Sequence, residues 1–113
     1  MTSFKIYKQF DKMDCGPTCL KMIAKHYGKN ISLDHLRELS FITREGVSLM
    51  GISHAAEGIG LKTLGTQVDI NTLIKKVPLP CILPWQNNHF VVLYKTSKKN
   101  AFIADPREGK RTL

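Results

Sequence analysis

The chain has 113 residues, of which 42% are hydrophobic and 23% are charged, and its formal net charge at pH 7 is +8. This length allows one domain with a single modest core, and the composition is that of a soluble globular protein. No apolar run is long enough to span a membrane, and the N-terminus lacks the apolar region of a signal peptide. We therefore expect one soluble domain over residues 1–113 that is not exported.

The excess of positive charge, 17 Lys+Arg against 9 Asp+Glu, favours an acidic partner, although a solvated basic surface has the same composition. Basic residues occur only in scattered pairs such as Lys75–Lys76 and Lys98–Lys99. Nor are they interleaved with aromatic residues, as they are in the strands of RNA-binding domains. We predict no nucleic-acid partner.

Four segments have the spacing and the end signals of helices. The first has Pro17 in its first turn, where a missing N–H costs nothing, and Gly28 as its stop. The second has Ser32 as N-cap and leucines at three-residue spacing. The predicted helices are Cys15–Tyr27, Ile31–Leu39, Ser48 to Gly58, and Asn71–Lys76.

Strand-like segments are concentrated in the second half of the chain, where SKKN reads as a hairpin loop. Helices followed by antiparallel strands predict an α+β fold, in which N-terminal helices pack on a C-terminal antiparallel sheet, and not an alternating βαβ fold. The predicted strands are Leu61–Thr66, Cys81–Leu83, Phe90–Lys95 and Ala101–Ala104.

The motif DCGPTC, which begins at Asp14, contains two of the chain's three cysteines. These two cysteines could form a redox pair, contribute half of a metal site, or comprise a nucleophile beside a buried neighbour. A thioredoxin-like pair has the spacing C-x-x-C, whereas Cys15 and Cys19 lie one helical turn apart. A disulfide between them is possible but strained, so a thiol-disulfide protein remains the weaker alternative.

A zinc site needs a second pair of ligands at short spacing. Cys81 and the four histidines, at positions 26, 35, 54 and 89, provide no such pair. We predict no metal and no cofactor.

The nucleophile hypothesis agrees best with the position of Cys15 at the start of a helix. Unsatisfied N–H groups and the positive end of the helix dipole lower the pKa of a thiol there. Cys19, one turn further along, and Cys81, in an apolar strand, are expected to be core residues.

A thiolate nucleophile needs an imidazole and a group that orients it. His89 begins one predicted strand and Asp105 follows the next, so an antiparallel hairpin places the two side chains side by side. Alternatively, Asp105 caps a turn and His89 is incidental. Gln9, six positions before Cys15, is a candidate donor to the oxyanion together with the Cys15 N–H.

Several segments together resemble the C39 peptidase domain, the papain-like cysteine protease domain of bacterial ABC transporters that process bacteriocins. The resemblance rests on QFDKMDCGPTCLKMIAKHYGK, EGVSLMGISHAAEGIGLKT, PLPCILPWQNNHFVVLYK and FIADPREG. It implies a papain-like fold with Cys15 as nucleophile, His89 as base, Asp105 as its orienter and Gln9 as oxyanion donor.

The resemblance also implies a reaction and partners. We expect cleavage of a leader peptide after a Gly-Gly or Gly-Ala pair, coupled to export by the transmembrane and nucleotide-binding domains of an ABC transporter. The chain itself has no membrane span and no Walker A motif, so it is interpreted as an N-terminal domain excised from a transporter at the cytoplasmic face of the membrane. The alternative within the same family is a docking domain that binds leaders without cutting them.

Overall fold

The computed structural model describes residues 4–9, 13–41, 47–63, 69, 77–85 and 89–113. In this part of the chain, three helices precede one antiparallel sheet, whose four strands lie in chain order. The α+β prediction is confirmed. The helices are α1 (Cys15–His26), α2 (Leu33–Leu39) and α3 (Leu49–Gly58), and the strands are β1 (Cys81–Trp85), β2 (His89–Thr96), β3 (Ala101–Asp105) and β4 (Gly109–Thr112).

The predicted helix ends agree with the structure because their capping residues act as the sequence indicates. Ser32 and Ser48 accept hydrogen bonds from N–H groups in the first turns of α2 and α3. Gly28, with φ of 83°, lies in the left-handed region just after α1. The predicted helix Asn71–Lys76 lies outside the described residues, as does part of Leu61–Thr66, whose described residues 61–63 do not form a strand.

The core lies between α1 and the sheet. Cys19 and Met22 of α1 pack against Phe90 and Val92 of β2, and a second cluster joins the three helices around Leu36. The opposite face of the sheet buries Val91 and other residues of that parity. Strand β2 is therefore buried on both faces, which fixes its register and the position of its first residue.

Two features of the sheet differ from the sequence prediction. Strand β1 continues to Trp85, and a fourth strand, β4, pairs with β3 so that Asp105 lies opposite Gly109. Gly109 has φ of 92°, which permits the tight turn after Asp105. The turn fixes the position of the last residue of β3.

Candidate active site

Cys15 is the first residue of α1 and is only 3% exposed. Its thiol is hydrogen-bonded to backbone groups of Phe90 and of Gly16. Phe90 follows His89 in β2, so these contacts bring the start of the helix against the start of the strand. The Cys15 thiol therefore lies against the backbone of the residue that follows the predicted base.

The prediction that the helix N-terminus gives Cys15 a lowered pKa is wrong. Burial raises the pKa of the thiol above its ordinary value, and the backbone hydrogen bonds with Phe90 and Gly16 and the charge of Arg107 lower it only part of the way. Desolvation disfavours the thiolate more than these groups favour it. Burial therefore favours the neutral form of the Cys15 thiol.

His89 and Asp105, the predicted base and its predicted orienter, lie side by side, as the hairpin predicts. The two atoms His89 Nε2 and Asp105 Oδ1 are 2.6 Å apart, and both residues are buried. The register pairs Val92 with Ala104, so Asp105 lies one diagonal step across the sheet from His89, within side-chain reach. The prediction that these two residues are neighbours is confirmed.

The hydrogen bond to Asp105 determines which ring nitrogen of His89 can act as a base. A carboxylate only accepts, so Nε2 carries the hydrogen and Nδ1 has the lone pair. Among the described residues, Nδ1 is buried and has no hydrogen-bond partner. His89 thus presents an unused acceptor inside the site, on the strand whose backbone touches the Cys15 thiol.

Asp105 remains charged in this buried position. Burial alone would raise its pKa, but hydrogen bonds from His89 and from the backbone N–H of Arg107 hold the pKa below its ordinary value. The Arg107 N–H donates to Oδ1 at 2.8 Å, so Asp105 also caps the β3–β4 turn. Turn capping and contact with His89, which the sequence left as alternatives, thus occur together at one carboxylate.

Gln9 lies on the N-terminal segment, which passes beside the β3–β4 turn. Its backbone N–H donates to the carbonyl oxygen of Pro106 at 2.9 Å, and its side-chain oxygen is buried. Pro106 adjoins Asp105, so this hydrogen bond connects the segment before α1 to the turn that follows Asp105. The predicted oxyanion donor thus comes from a segment anchored at the site.

Cys19 and Cys81 occupy different surroundings from Cys15. Cys19 is fully buried, its Sγ lies 3.3 Å from the Phe90 carbonyl oxygen, and burial raises its pKa well above the ordinary value. Cys81 is half-buried on the other side of the sheet. None of the three cysteines, all of which lie in the described part of the chain, forms a disulfide. The core prediction is confirmed for Cys19, whereas Cys81 lies at the margin of the core.

Two of the other histidines contact neighbouring groups outside this site. His26 lies against Phe4 and Tyr27, and the Nδ1 atom of His54 is 2.9 Å from the Leu39 carbonyl oxygen. Within the described ranges, no three His, Cys, Asp or Glu side chains are grouped as metal ligands would be. The geometry therefore offers acid–base and nucleophilic chemistry at Cys15 and His89.

One ion pair beside Cys15 was not predicted from the sequence. Asp14, whose side chain is 1% exposed, receives two hydrogen bonds from Arg37 of α2, one of them 2.8 Å between Nε and Oδ1. The two residues are 23 positions apart, and only the packing of α2 against α1 brings them together. An acidic residue directly before the predicted nucleophile was the available signal.

An open pocket lies at the other end of α1, where Lys21, Lys25 and Lys29 line it together with Tyr7. Among the residues that the structure describes, no acidic side chain lines this pocket. It involves neither β2 nor the β3–β4 turn, so it is separate from the site around Cys15.

Comparison with known proteins agrees with this geometry. Residues 3–113 match the Peptidase C39 family. The chain is 36% identical over 108 residues to the probable microcin-H47 secretion/processing ATP-binding protein MchF of Escherichia coli, covering 96% of this chain and 15% of that protein. It is 39% identical over 111 residues to the lactococcin-G-processing and transport ATP-binding protein LagD of Lactococcus lactis subsp. lactis, covering 94% of this chain and 16% of that protein.

Two solved structures share the fold. A double glycine motif protease from an AMS/PCAT transporter, crystallised with the leader peptide, superposes with a TM-score of 0.92 at 31% identity, over 96% of this chain and 78% of that one. The peptidase domain of Streptococcus ComA, a bifunctional ABC transporter, gives a TM-score of 0.87 at 30% identity, over 98% and 86% of the two chains. No helix in the described part of the chain has the length and apolar content needed to cross a membrane.

Proposed function

Because the chain belongs to the peptidase C39 family, we propose that it is a cysteine endopeptidase that cleaves leader peptides after a Gly-Gly or Gly-Ala pair. The observation that carries the proposal is the buried His89–Asp105 pair, with Nδ1 of His89 unused, beside a cysteine at a helix N-terminus. A double glycine motif protease of the same fold was crystallised in complex with the leader peptide. The Gly-Ala variant of the site is inferred from the family resemblance.

The first half of the reaction forms a thioester. Nδ1 of His89 takes the proton of the Cys15 thiol, and the sulfur attacks the carbonyl carbon of the second small residue. Because the pKa of Cys15 is raised by burial in the unliganded chain, proton transfer to His89 and attack are expected to be coupled. The imidazolium, held by Asp105, then protonates the departing amine as the peptide bond breaks.

The second half restores the enzyme. Nδ1 of His89 removes a proton from water, the resulting hydroxide attacks the thioester carbonyl, and the Cys15 sulfur leaves and recovers its proton. In both halves the negative oxygen needs donors, which we assign to the Cys15 N–H and to the side-chain amide of Gln9. Asp105 stays ionised throughout, which agrees with its lowered pKa.

The domain is further proposed to work as part of an ABC transporter. The chain spans 15% and 16% of the length of two curated relatives, which are ATP-binding secretion and processing proteins. We assign residues 1–113 to a single peptidase domain attached to transmembrane and nucleotide-binding domains at the cytoplasmic face of the membrane. Inside-out vesicles that contain the full-length transporter should cut an added leader, and sealed right-side-out vesicles should not.

Incubation of the domain with a synthetic Gly-Gly leader peptide in reducing buffer tests the peptidase proposal. Mass spectrometry should show cleavage after the second Gly, and Cys15→Ala should bind the leader without cutting it. Cys81→Ser is the matched control, because Cys81 lies on the other side of the sheet and should leave the rate unchanged. Cleavage by Cys15→Ala would disprove the assignment of the nucleophile, and binding without cleavage by the unmodified chain would identify a docking domain.

A further inference from the structure

Asp14 has the right residue type and position to cap α1 but does not do so. Aspartate at an N-cap usually accepts a hydrogen bond from the second or third N–H of the helix. In α1 the N-cap Asp14 makes no side-chain cap hydrogen bond. Its carboxylate instead faces Arg37 of α2, which donates to both oxygens.

A capping carboxylate would compete directly with the thiol of Cys15. The third residue of α1, Pro17, has no N–H, so the second residue, Gly16, is the N–H that a cap would take. The hydrogen bond between the Gly16 backbone and the Cys15 thiol uses the same N–H group. One donor cannot serve the carboxylate and the sulfur equally well.

A carboxylate turned onto α1 would also act through its charge. A like charge within about 4–6 Å of a titrating thiol disfavours the thiolate, and Asp14 is the residue next to Cys15 and is buried. The Arg37 guanidinium balances the charge of the buried carboxylate. It does so with two hydrogen bonds, which also fix the direction in which the carboxylate points.

The position of Arg37 is fixed by packing. Its neighbour Leu36 is fully buried in the cluster that joins α2 to α1 and α3. The side chain of Arg37 is 34% exposed and also lies 3.5 Å from Asp34, an exposed carboxylate. Arg37 thus reaches Asp14 from an anchored helix.

We propose that Arg37 is a positioning residue for the nucleophile. It holds the Asp14 carboxylate away from the first turn of α1, so that the N–H groups of that turn serve the Cys15 sulfur. The inference rests on the proposed role of Cys15. Without Arg37, the carboxylate turns back onto α1, takes the Gly16 N–H and adds negative charge beside the thiol.

The test is the rate at which iodoacetamide alkylates Cys15 as a function of pH, assigned by fragmentation of the tryptic peptide 13–21. Arg37→Met should lower the rate at pH 7 by about tenfold or more, because a nearby like charge shifts a pKa by about one unit or more. The double variant Asp14→Ala/Arg37→Met should return the rate to within about threefold of the unmodified chain. Asp34→Asn is the matched control and should change nothing.

The recovery in the double variant separates positioning from simple structural support. A structural role predicts that removing both residues is at least as damaging as removing one, so a double variant as slow as Arg37→Met would overturn the proposal. An unchanged rate in Arg37→Met would also overturn it. If Arg37→Met does not fold, as judged by circular dichroism, Arg37→Gln replaces it, since glutamine keeps one donor and loses the charge.

The alkylation experiment contains no leader peptide, so it does not depend on the substrate. If the unmodified chain fails to cut the leader but the double variant recovers alkylation, the peptidase proposal fails and the positioning proposal stands. If the leader is cut and the double variant does not recover, only the positioning proposal fails.

Discussion

At its C-terminal end α1 is closed by its own backbone: the Lys29 N–H donates to the Ala24 carbonyl at 2.8 Å, and Gly28 takes the left-handed conformation. At its N-terminal end the side chain that could close the helix points elsewhere, and a cysteine occupies the first position. The C-terminal end of α1 is therefore capped in a way that stabilises the helix. At the N-terminal end, the backbone N–H groups are not used by a capping side chain and can serve the Cys15 thiol. Changes at the two ends should accordingly separate activity from stability.

The largest of these effects is expected at the candidate active site, from Asp105→Ala. Without the carboxylate, His89 loses the partner that orients its ring and stabilises its charged form, and kcat for leader cleavage should fall by about 10³-fold. Asp105→Asn keeps an acceptor for Nε2, so its kcat should lie between that of Asp105→Ala and that of the unmodified chain. Steady-state kinetics with thermal melts as a folding check would measure this, and an alanine variant within tenfold of the unmodified chain would refute the assigned role.

A second effect concerns Cys19, in the middle of the helix, and appears at alkaline pH. Its pKa is raised well above the ordinary value by burial, so the folded chain holds this proton more tightly than the unfolded chain does. Stability from this group is complete below the ordinary pKa and is lost as pH rises above it, by up to about 1.4 kcal/mol per pH unit.

Urea unfolding between pH 8 and 10.5 would measure this loss. Cys19→Ser should flatten the decline and leave kcat within about threefold, because a hydroxyl can still donate to the Phe90 carbonyl. An equally steep decline in the serine variant would show that other groups cause it.

At acidic pH, Asp105 should have the opposite effect on the free energy of unfolding. Because its pKa is lowered in the folded chain, the stability that it contributes is present above about pH 4 and is lost below it.

The closed end of α1 should show the reverse of the active end. No atom of the described residues lies within 4 Å of a Cβ added at Gly28. Gly28→Ala is therefore expected to meet the backbone penalty of a left-handed conformation, about 1 kcal/mol of unfolding free energy. Gly28→Asn, which tolerates that conformation, should lose less. Both variants should keep kcat. A tenfold loss of kcat without a loss of stability would break the distinction between the two ends.

The smallest effect is expected from salt. A domain of net charge +8 should attract an acidic leader, so KM should rise a few-fold between 50 and 500 mM salt. A leader whose acidic residues are replaced by glutamine is the matched control and should have a KM that does not change with salt. A salt-independent KM for the acidic leader would show that charge attraction does not contribute to leader binding.

The parts of the site that sequence predicted are those governed by local rules. Cys15 lies at a helix start because Pro17 and Gly28 mark the two ends, and His89 meets Asp105 because antiparallel strands joined by a short hairpin bring those positions together. Strand β4 was not predicted, although the turn DPREG with Gly109 in the left-handed region is typical of a hairpin.

The parts that sequence could not predict depend on how elements pack. The pKa of Cys15 is set chiefly by burial, and no spacing rule says how deeply a helix end is covered. The contact of Arg37 with Asp14 requires α2 to lie against the start of α1, which hydrophobic periodicity does not specify. Residues 71–76, predicted as a helix, lie outside the described residues.

The separation of the site residues along the chain has a consequence for biosynthesis. Gln9 and Cys15 are synthesised before His89 and Asp105, which belong to strands far along the chain. A nascent chain that has not yet reached β2 therefore carries the Cys15 thiol without the residue that we propose as its base. On the proposed roles, peptidase activity requires that β3 has already paired with β2.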